Sequence, residues 1–133
     1  MRSEEIDVRT GDRLVTDLTA LAAQFCAGAG DGLLSVFVPH ATAGVALIET
    51  GAGSETDLAT ALDLALPPDD RWVHRHGSPG HGRDHVMPAF VAPSLVVPVV
   101  DGRMTLGTWQ SVVLVDPNLD NPRRRVRLSF VPG

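Results

Sequence analysis

Four of the chain's five histidines fall within twelve residues, from His74-Arg-His76 to His81-Gly-Arg-Asp-His85, and the fifth, His40, follows an apolar run that ends at Pro39. Imidazole exchanges protons near neutral pH and binds transition metals through either nitrogen, so such a cluster suits proton transfer or the holding of a divalent ion. Its spacing, H-x-H-x4-H-x3-H, contains no HExxH and no cysteine partner, which separates it from the common zinc signatures. His74 and His85 adjoin the apolar pairs Trp72-Val73 and Val86-Met87, so both ends of the loop are expected to be anchored to the core. Anchoring suits a preorganised pocket wall and makes these two the stronger site residues. His76 and His81, in the glycine-rich middle, read as polar surface additions with no assigned role.

His40 by itself reads as a structural histidine at a strand end. Glu49 ends another apolar run, where a carboxylate needs a partner or water. Gly107-Thr108-Trp109-Gln110 offers a backbone open to close approach, a flat stacking face and an amide that both donates and accepts. The bland account of that segment is a β-bulge with a core tryptophan. There is no Walker A sequence, no GxGxxG after a strand and no Ser-His-Asp order.

The elements that position these groups follow from periodicity. Residues 5–9 alternate as a half-buried strand, and Leu14-Val15 forms a short return strand. Apolar positions 18, 21, 22, 25 and 26 predict a helix capped by Thr16 or Thr19. Leu33–Val38 and Gly44–Ile48 are apolar strands that can pair as a hairpin with His40 at its tip. Ser54 with Asp57 reads as a capping box for a helix whose apolar face is Leu58, Ala61, Leu62, Ala65 and Leu66, stopped by Pro67-Pro68. The histidine loop spans roughly 70–85, with a short helix or turn over 86–91. Ser94–Val100 is a β-branched strand followed by an Asp101-Gly102 hairpin turn. Arg103–Leu106, Gln110–Val115 and Arg124–Phe130 complete a single α+β domain over residues 1–133, mostly antiparallel sheet with two or three helices.

A net charge of −5 argues against a nucleic-acid partner, which needs a basic surface. The basic run Arg123–Arg127 reads as a solvated edge strand, with an anion site reached from a neighbouring subunit as the sharper reading. The longest apolar run, Phe90–Val100, is broken by Pro93 and Pro98 and falls short of a membrane span. Cys26, the single cysteine, lies in an apolar helical stretch as a buried small hydrophobe. One cysteine and no leader-like N-terminus point to the cytoplasm.

Taken together, His40-Ala-Thr-Ala-Gly44 with Glu49, Asp57-Leu58, His74, His85, Ser94-Leu95, Gly102, Leu106-Gly-Thr-Trp-Gln110 and Arg124-Arg125 resembles the YjbQ family. The resemblance is dense from about residue 33 to residue 130. It implies a small α+β fold, a homotrimer, and a weak thiamine-phosphate synthase activity that joins a pyrimidine diphosphate to a thiazole phosphate with release of pyrophosphate. Carried over by position, the cleft residues are His40, Glu49, His74 and His85 in catalysis, and Asp57, Thr108, Trp109 and Gln110 on a small phosphorylated substrate. His40, His74 and His85 would hold a divalent metal, zinc or magnesium.

The chain departs from the family pattern at Thr50-Gly51-Ala52-Gly53, where an Asn and an acid are usual. It departs again at Gly80–His85, where an Asp-Asn pair commonly precedes Ala-His. Two other functions fit the same residues: a non-catalytic binder of a phosphorylated or heteroaromatic ligand, and a metal-dependent hydrolase.

Overall fold

The computed structural model describes residues 1–75 and 77–133, so His76 lies outside the described residues. Eight strands form two antiparallel sheets: β1 (Arg2–Arg9), β2 (Val15–Asp17), β3 (Gly32–Phe37), β4 (Gly44–Ile48), β5 (Ser94–Val100), β6 (Arg103–Met104), β7 (Ser111–Val115) and β8 (Arg123–Pro132). The helices are α1 (Thr19–Cys26) and α2 (Ser54–Ala65), with two 3-10 turns at His81–His85 and Met87–Ala89. The large sheet runs β1-β8-β3-β5-β6 and the small one β2-β7-β4. The α+β class with mostly antiparallel sheet is thus as the alternating patterns predict.

The small sheet is the middle layer, and β7 shows why. Its Val112 and Leu114 join Leu34, Val36, Val99, Val126, Leu128 and Phe130 of the large sheet in one core, together with Leu18, Ala22, Phe25 and Cys26. Its Val113 and Val115 point the other way, onto Leu62, Leu66 and Met87. A strand covered on both faces carries apolar residues without alternation, as Val-Val-Leu-Val does here. Burying a Val or Leu side chain contributes about 1.5–3 kcal/mol, so β7 anchors both layers.

Four local expectations need correction. β3 and β4 do not form a hairpin, because β3 is flanked on both sides by β5 and β8 while β4 pairs with β7. His40 therefore lies in the crossover between two sheets. β8 is not an edge strand, since β1 covers its outer side along eight paired positions, Arg2↔Phe130 to Arg9↔Arg123. Of its arginines, Arg125 and Arg127 reach Glu5, and Arg124 is buried. The Ser54–Asp57 capping box does not form: Ser54 is inside the helix, Gly53 takes the N-cap at φ 100°, and no side chain caps it. Glu55 instead accepts from the Gly51 amide at 3.0 Å. Neither threonine caps α1: Thr16 is in β2, and Thr19, whose amide donates to Asp17, accepts from the Val112 amide at 2.9 Å.

The Asp101-Gly102 turn is as predicted. Both residues take positive φ, 49° and 72°, which suits a tight two-residue hairpin between β5 and β6.

Candidate metal centre

Glycine shapes the histidine loop at two points. Gly80 adopts φ 79°, and a Cβ there would stand 2.8 Å from the Pro68 carbonyl oxygen. At Gly82 an added Cβ would sit 2.5 Å from Trp72 Cβ and 2.6 Å from the His74 carbonyl oxygen. Only a residue without a side chain lets the 3-10 turn lie flush on the Trp72–His74 segment. That segment is itself held, because the Trp72 indole N–H donates to the Pro67 carbonyl at 2.8 Å. Arg83 ties the turn to α2 through Asp63 at 2.6 Å and the Leu66 carbonyl at 3.2 Å. Met87, just beyond, is buried in the second core.

The result brings three imidazoles together. His74, His81 and His85 each place one ring nitrogen within 4.8 Å of the others, making a candidate metal-binding group among the described residues. The rings of His74 and His85 lie 3.9 Å apart between centroids, and His81 meets His85 edge-on at 4.7 Å. Nε2 of His81 faces Nε2 of His85 at 2.8 Å, a hydrogen-bond distance. Two nitrogens bound to one tetrahedral zinc at about 2.0–2.1 Å stand about 3.3 Å apart. An ion would replace the shared hydrogen after a parting of about 0.5 Å, within the reach of small side-chain rotations.

Asp84 completes the arrangement. In a 3-10 turn, side chains three apart eclipse, and Asp84 accordingly lies 3.2 Å from Nδ1 of His81. A carboxylate there orients the ring and directs Nε2 inward, the usual outer partner of a metal-bound histidine. Burial pushes the Asp84 carboxyl above its ordinary value, opposed by Arg83 and His81 and reinforced by Asp116. Asp120 stands 3.9 Å from the same Nδ1 and accepts from the Ser78 hydroxyl at 3.2–3.3 Å. A cleft of about 340 Å³, bordered by Asp69, Asp70, His74, Arg75 and His81, opens beside the group.

Sequence reasoning singled out His74 and His85, two of the three rings in this group, and read His81 as a surface residue, whereas it is 7% exposed and lies with them. The readable signals were its spacing to Asp84 and the glycines on either side. His40 stands outside this group. Its Nδ1 lies 2.9 Å from the Thr42 hydroxyl, which donates to the buried Asp116 at 2.9 Å. Burial, and then Arg124, lower the His40 pKa, with Asp116 opposing.

The other expected site residues lie elsewhere. Glu49, Asp57, Thr108, Trp109 and Gln110 are all exposed. Trp109, at 73% exposure, is not a core tryptophan. The Gln110 side chain turns back to accept from the Gly107 amide at 2.8 Å. The β4–β7 ladder ends at Ile48↔Ser111, so Glu49 and Gln110 flank the same end. His40 and Asp116 flank the other, beyond Gly44↔Val115. Five paired residues separate the two ends by about 14 Å at 3.4 Å per residue.

Comparison with known proteins agrees with this fold. The profile of the family described as "UPF0047 protein YjbQ-like" matches residues 4–133. The UPF0047 protein Rv2556c of Mycobacterium tuberculosis is 62% identical over 133 residues, covering 100% of both chains. A UPF0047 protein of Methanothermobacter thermautotrophicus is 30% identical over 96% of this chain and 90% of its own length. Among solved structures, the hypothetical protein APE1520 of Aeropyrum pernix superposes with a TM-score of 0.87 at 31% identity over 100% of both chains. A YbjQ-like protein of unknown function from Sulfolobus solfataricus gives 0.90 at 24% identity, covering 99% of this chain and 97% of that one, and speaks to fold alone.

Proposed function

Because this chain belongs to the UPF0047 YjbQ-like family, we propose that it is a metal-dependent enzyme acting on a small phosphorylated molecule, with a zinc-type ion on His74, His81 and His85. The observation that carries this reading is the convergence of the three ring nitrogens within 4.8 Å, with Asp84 behind one of them. Three nitrogen ligands suit zinc better than magnesium, which prefers six oxygens. The ion would act as a Lewis acid on a phosphate oxygen. The lining carries both signs, Asp70 and Arg75 with Asp69 neutralised by Arg71, so a phosphate would enter with the ion.

The reaction assigned first is the joining of a pyrimidine diphosphate to a thiazole phosphate, following the family resemblance of His40, His74, His85 and the Gly-Thr-Trp-Gln segment. Trp109 would supply a stacking face for a flat ring, from the opposite end of the small sheet. Three observations test it. Purified protein is expected to bind one zinc, read by elemental analysis and by calorimetry. It is expected to rescue a thiamine-auxotrophic strain, whereas His74→Ala and His85→Ala do not. Equal rescue by all three would remove these histidines from the site.

A second reading is favoured by the cleft of about 340 Å³ beside the three histidines, through which a water would reach the ion and make the protein a metal-dependent hydrolase. Pyrimidine diphosphate supplied alone separates the two: pyrophosphate release without the thiazole partner indicates hydrolysis.

The homotrimer implied by the resemblance is also proposed. It is supported by the outer face of the large sheet, where Leu33, Phe37, Val96, Val100 and Val131 are exposed. Leu33 pairs with both Pro98 and Val131, so these residues form a contiguous apolar area. Light scattering on Phe37→Asp against the unaltered chain tests it, with a trimer-to-monomer shift expected.

A further inference from the structure

Outside the three-histidine group, the described residues bury one ion pair, Asp116 with Arg124, each side chain 1% exposed. Each guanidinium nitrogen of Arg124 is engaged. Its Nε meets Asp116, its Nη1 donates to the carbonyls of Asn121 at 2.8 Å and Arg123 at 2.6 Å, and its Nη2 donates to that of Asn118 at 3.1 Å. Asp116 Oδ1 accepts from the Asn118 amide and from the Thr42 hydroxyl, both at 2.9 Å. The pair thus has a structural role, but its last link leaves the core. Thr42 is 1% exposed, and the next group along, His40, is half-buried.

The single proton of the Thr42 hydroxyl orders the hydrogen bonds along this chain. A hydroxyl has one proton, and the ionised Asp116, held by a guanidinium, can only accept. The Thr42 proton therefore goes to Asp116, and the Thr42 oxygen can only accept from Nδ1 of His40, 2.9 Å away. The competing arrangement has the Thr42 backbone N–H donating to a bare Nδ1 at 3.3 Å. That contact is longer, whereas a hydroxyl that donates to a carboxylate becomes a stronger acceptor at its own oxygen. A neutral ring protonated on Nδ1 carries its lone pair on Nε2.

We propose that Asp116 and Thr42 lock the His40 ring with its proton on Nδ1, leaving Nε2 as a fixed acceptor for an O–H or N–H of a small ligand. His40 is the group that would meet the ligand, and Thr42 and Asp116 are positioning residues. If the ligand proton is transferred, Nε2 gains it, the ligand oxygen or nitrogen keeps the electron pair, and the imidazolium shares its Nδ1–H with Thr42. The ligand class differs from that of the metal centre: a neutral hydroxyl or amine, not an oxyanion. The inference needs no metal and stands apart from the zinc reading.

The test is long-range proton–nitrogen correlation on the full chain labelled with ¹⁵N. The unaltered protein is expected to show His40 Nδ1 protonated and Nε2 bare. Thr42→Val keeps the shape, removes the hydroxyl, and leaves the backbone N–H as the hydrogen-bond partner of Nδ1 among the described residues, so the proton should move to Nε2; Thr42→Ser should restore the original pattern. Titration with 2-aminopyrimidine, a neutral N–H donor, is expected to shift Nε2, with at least a tenfold weaker response in Thr42→Val. Inorganic phosphate should leave it in place. A bare Nδ1 in the unaltered chain overturns the proposal without any variant being needed. So does an unchanged tautomer in folded Thr42→Val, or a response of Nε2 to phosphate alone.

Discussion

The two histidine-bearing regions are built in opposite ways. The centre of His74, His81 and His85 is assembled within one short loop, by two glycines and a 3-10 turn. The His40 network draws on two segments far apart in sequence, 40–42 and 116–124, and centres on a buried ion pair. A local loop keeps ring positions through close backbone approach, and a few tenths of an ångström decide whether an ion fits. The distant network keeps one ring through hydrogen bonds whose energetic weight lies in the core. The first should therefore fail in ligand binding before it fails in stability, and the second in the reverse order.

The largest effect should come from breaking the second region at its root. Arg124→Met leaves Asp116 charged and buried, which costs about 3–5 kcal/mol; urea denaturation is expected to show that loss, and zinc affinity in whatever folded protein remains should be retained. Gly82→Ala strikes the first region. Its Cβ would overlap Trp72 and the His74 carbonyl, so a loss of about 1–3 kcal/mol is expected from overpacking, together with weakened zinc binding by calorimetry. Equal zinc affinity in Gly82→Ala would show that close approach does not set the centre.

Asp84→Asn is expected to leave stability nearly unchanged and to reduce zinc affinity about 10- to 100-fold, the usual effect of losing an outer partner of a ligand. An unchanged affinity would show that Asp84 serves the turn and not the ring. The smallest effect is in pH. His40 has its pKa lowered in the fold, first by burial and then by Arg124. The unfolded chain therefore binds more protons, so stability rises with pH there. The contribution is fully present above the ordinary value of 6.5 and is lost as pH falls through the lower folded value. His40→Gln should flatten that part of the stability–pH curve measured by thermal melting, and an unaltered slope would place the titration elsewhere.

Much of this was readable along the chain. Apolar alternation located the strands, Asp101-Gly102 the hairpin, and Trp72 and Val86-Met87 the anchored ends of the histidine loop, whereas Val73, expected to share that anchoring, is 96% exposed. The site was less readable. His81 looked like a polar surface residue because helical and strand periods say nothing about a glycine-shaped turn, where a buried ring depends on what lies beneath it. Arg124 looked like part of a solvated edge because a strand does not carry the identity of its neighbours, and β1 arrives from the other end of the chain.

What the sequence determined alone is what depends on neighbours close along the chain: which segments are strands and helices, where turns of positive φ fall, and that histidines are concentrated between two apolar anchors. Only the tertiary structure decided which of them meet. β3 and β4 enter different sheets, so His40 is carried to Thr42 and Asp116 and not to a hairpin tip. Gly82 presses onto Trp72, so His81 turns inward beside His74 and His85. The first outcome rests on contacts between surfaces distant in sequence and the second on a loop folded back on itself, and in each the packing selects one arrangement from many that the local patterns permit.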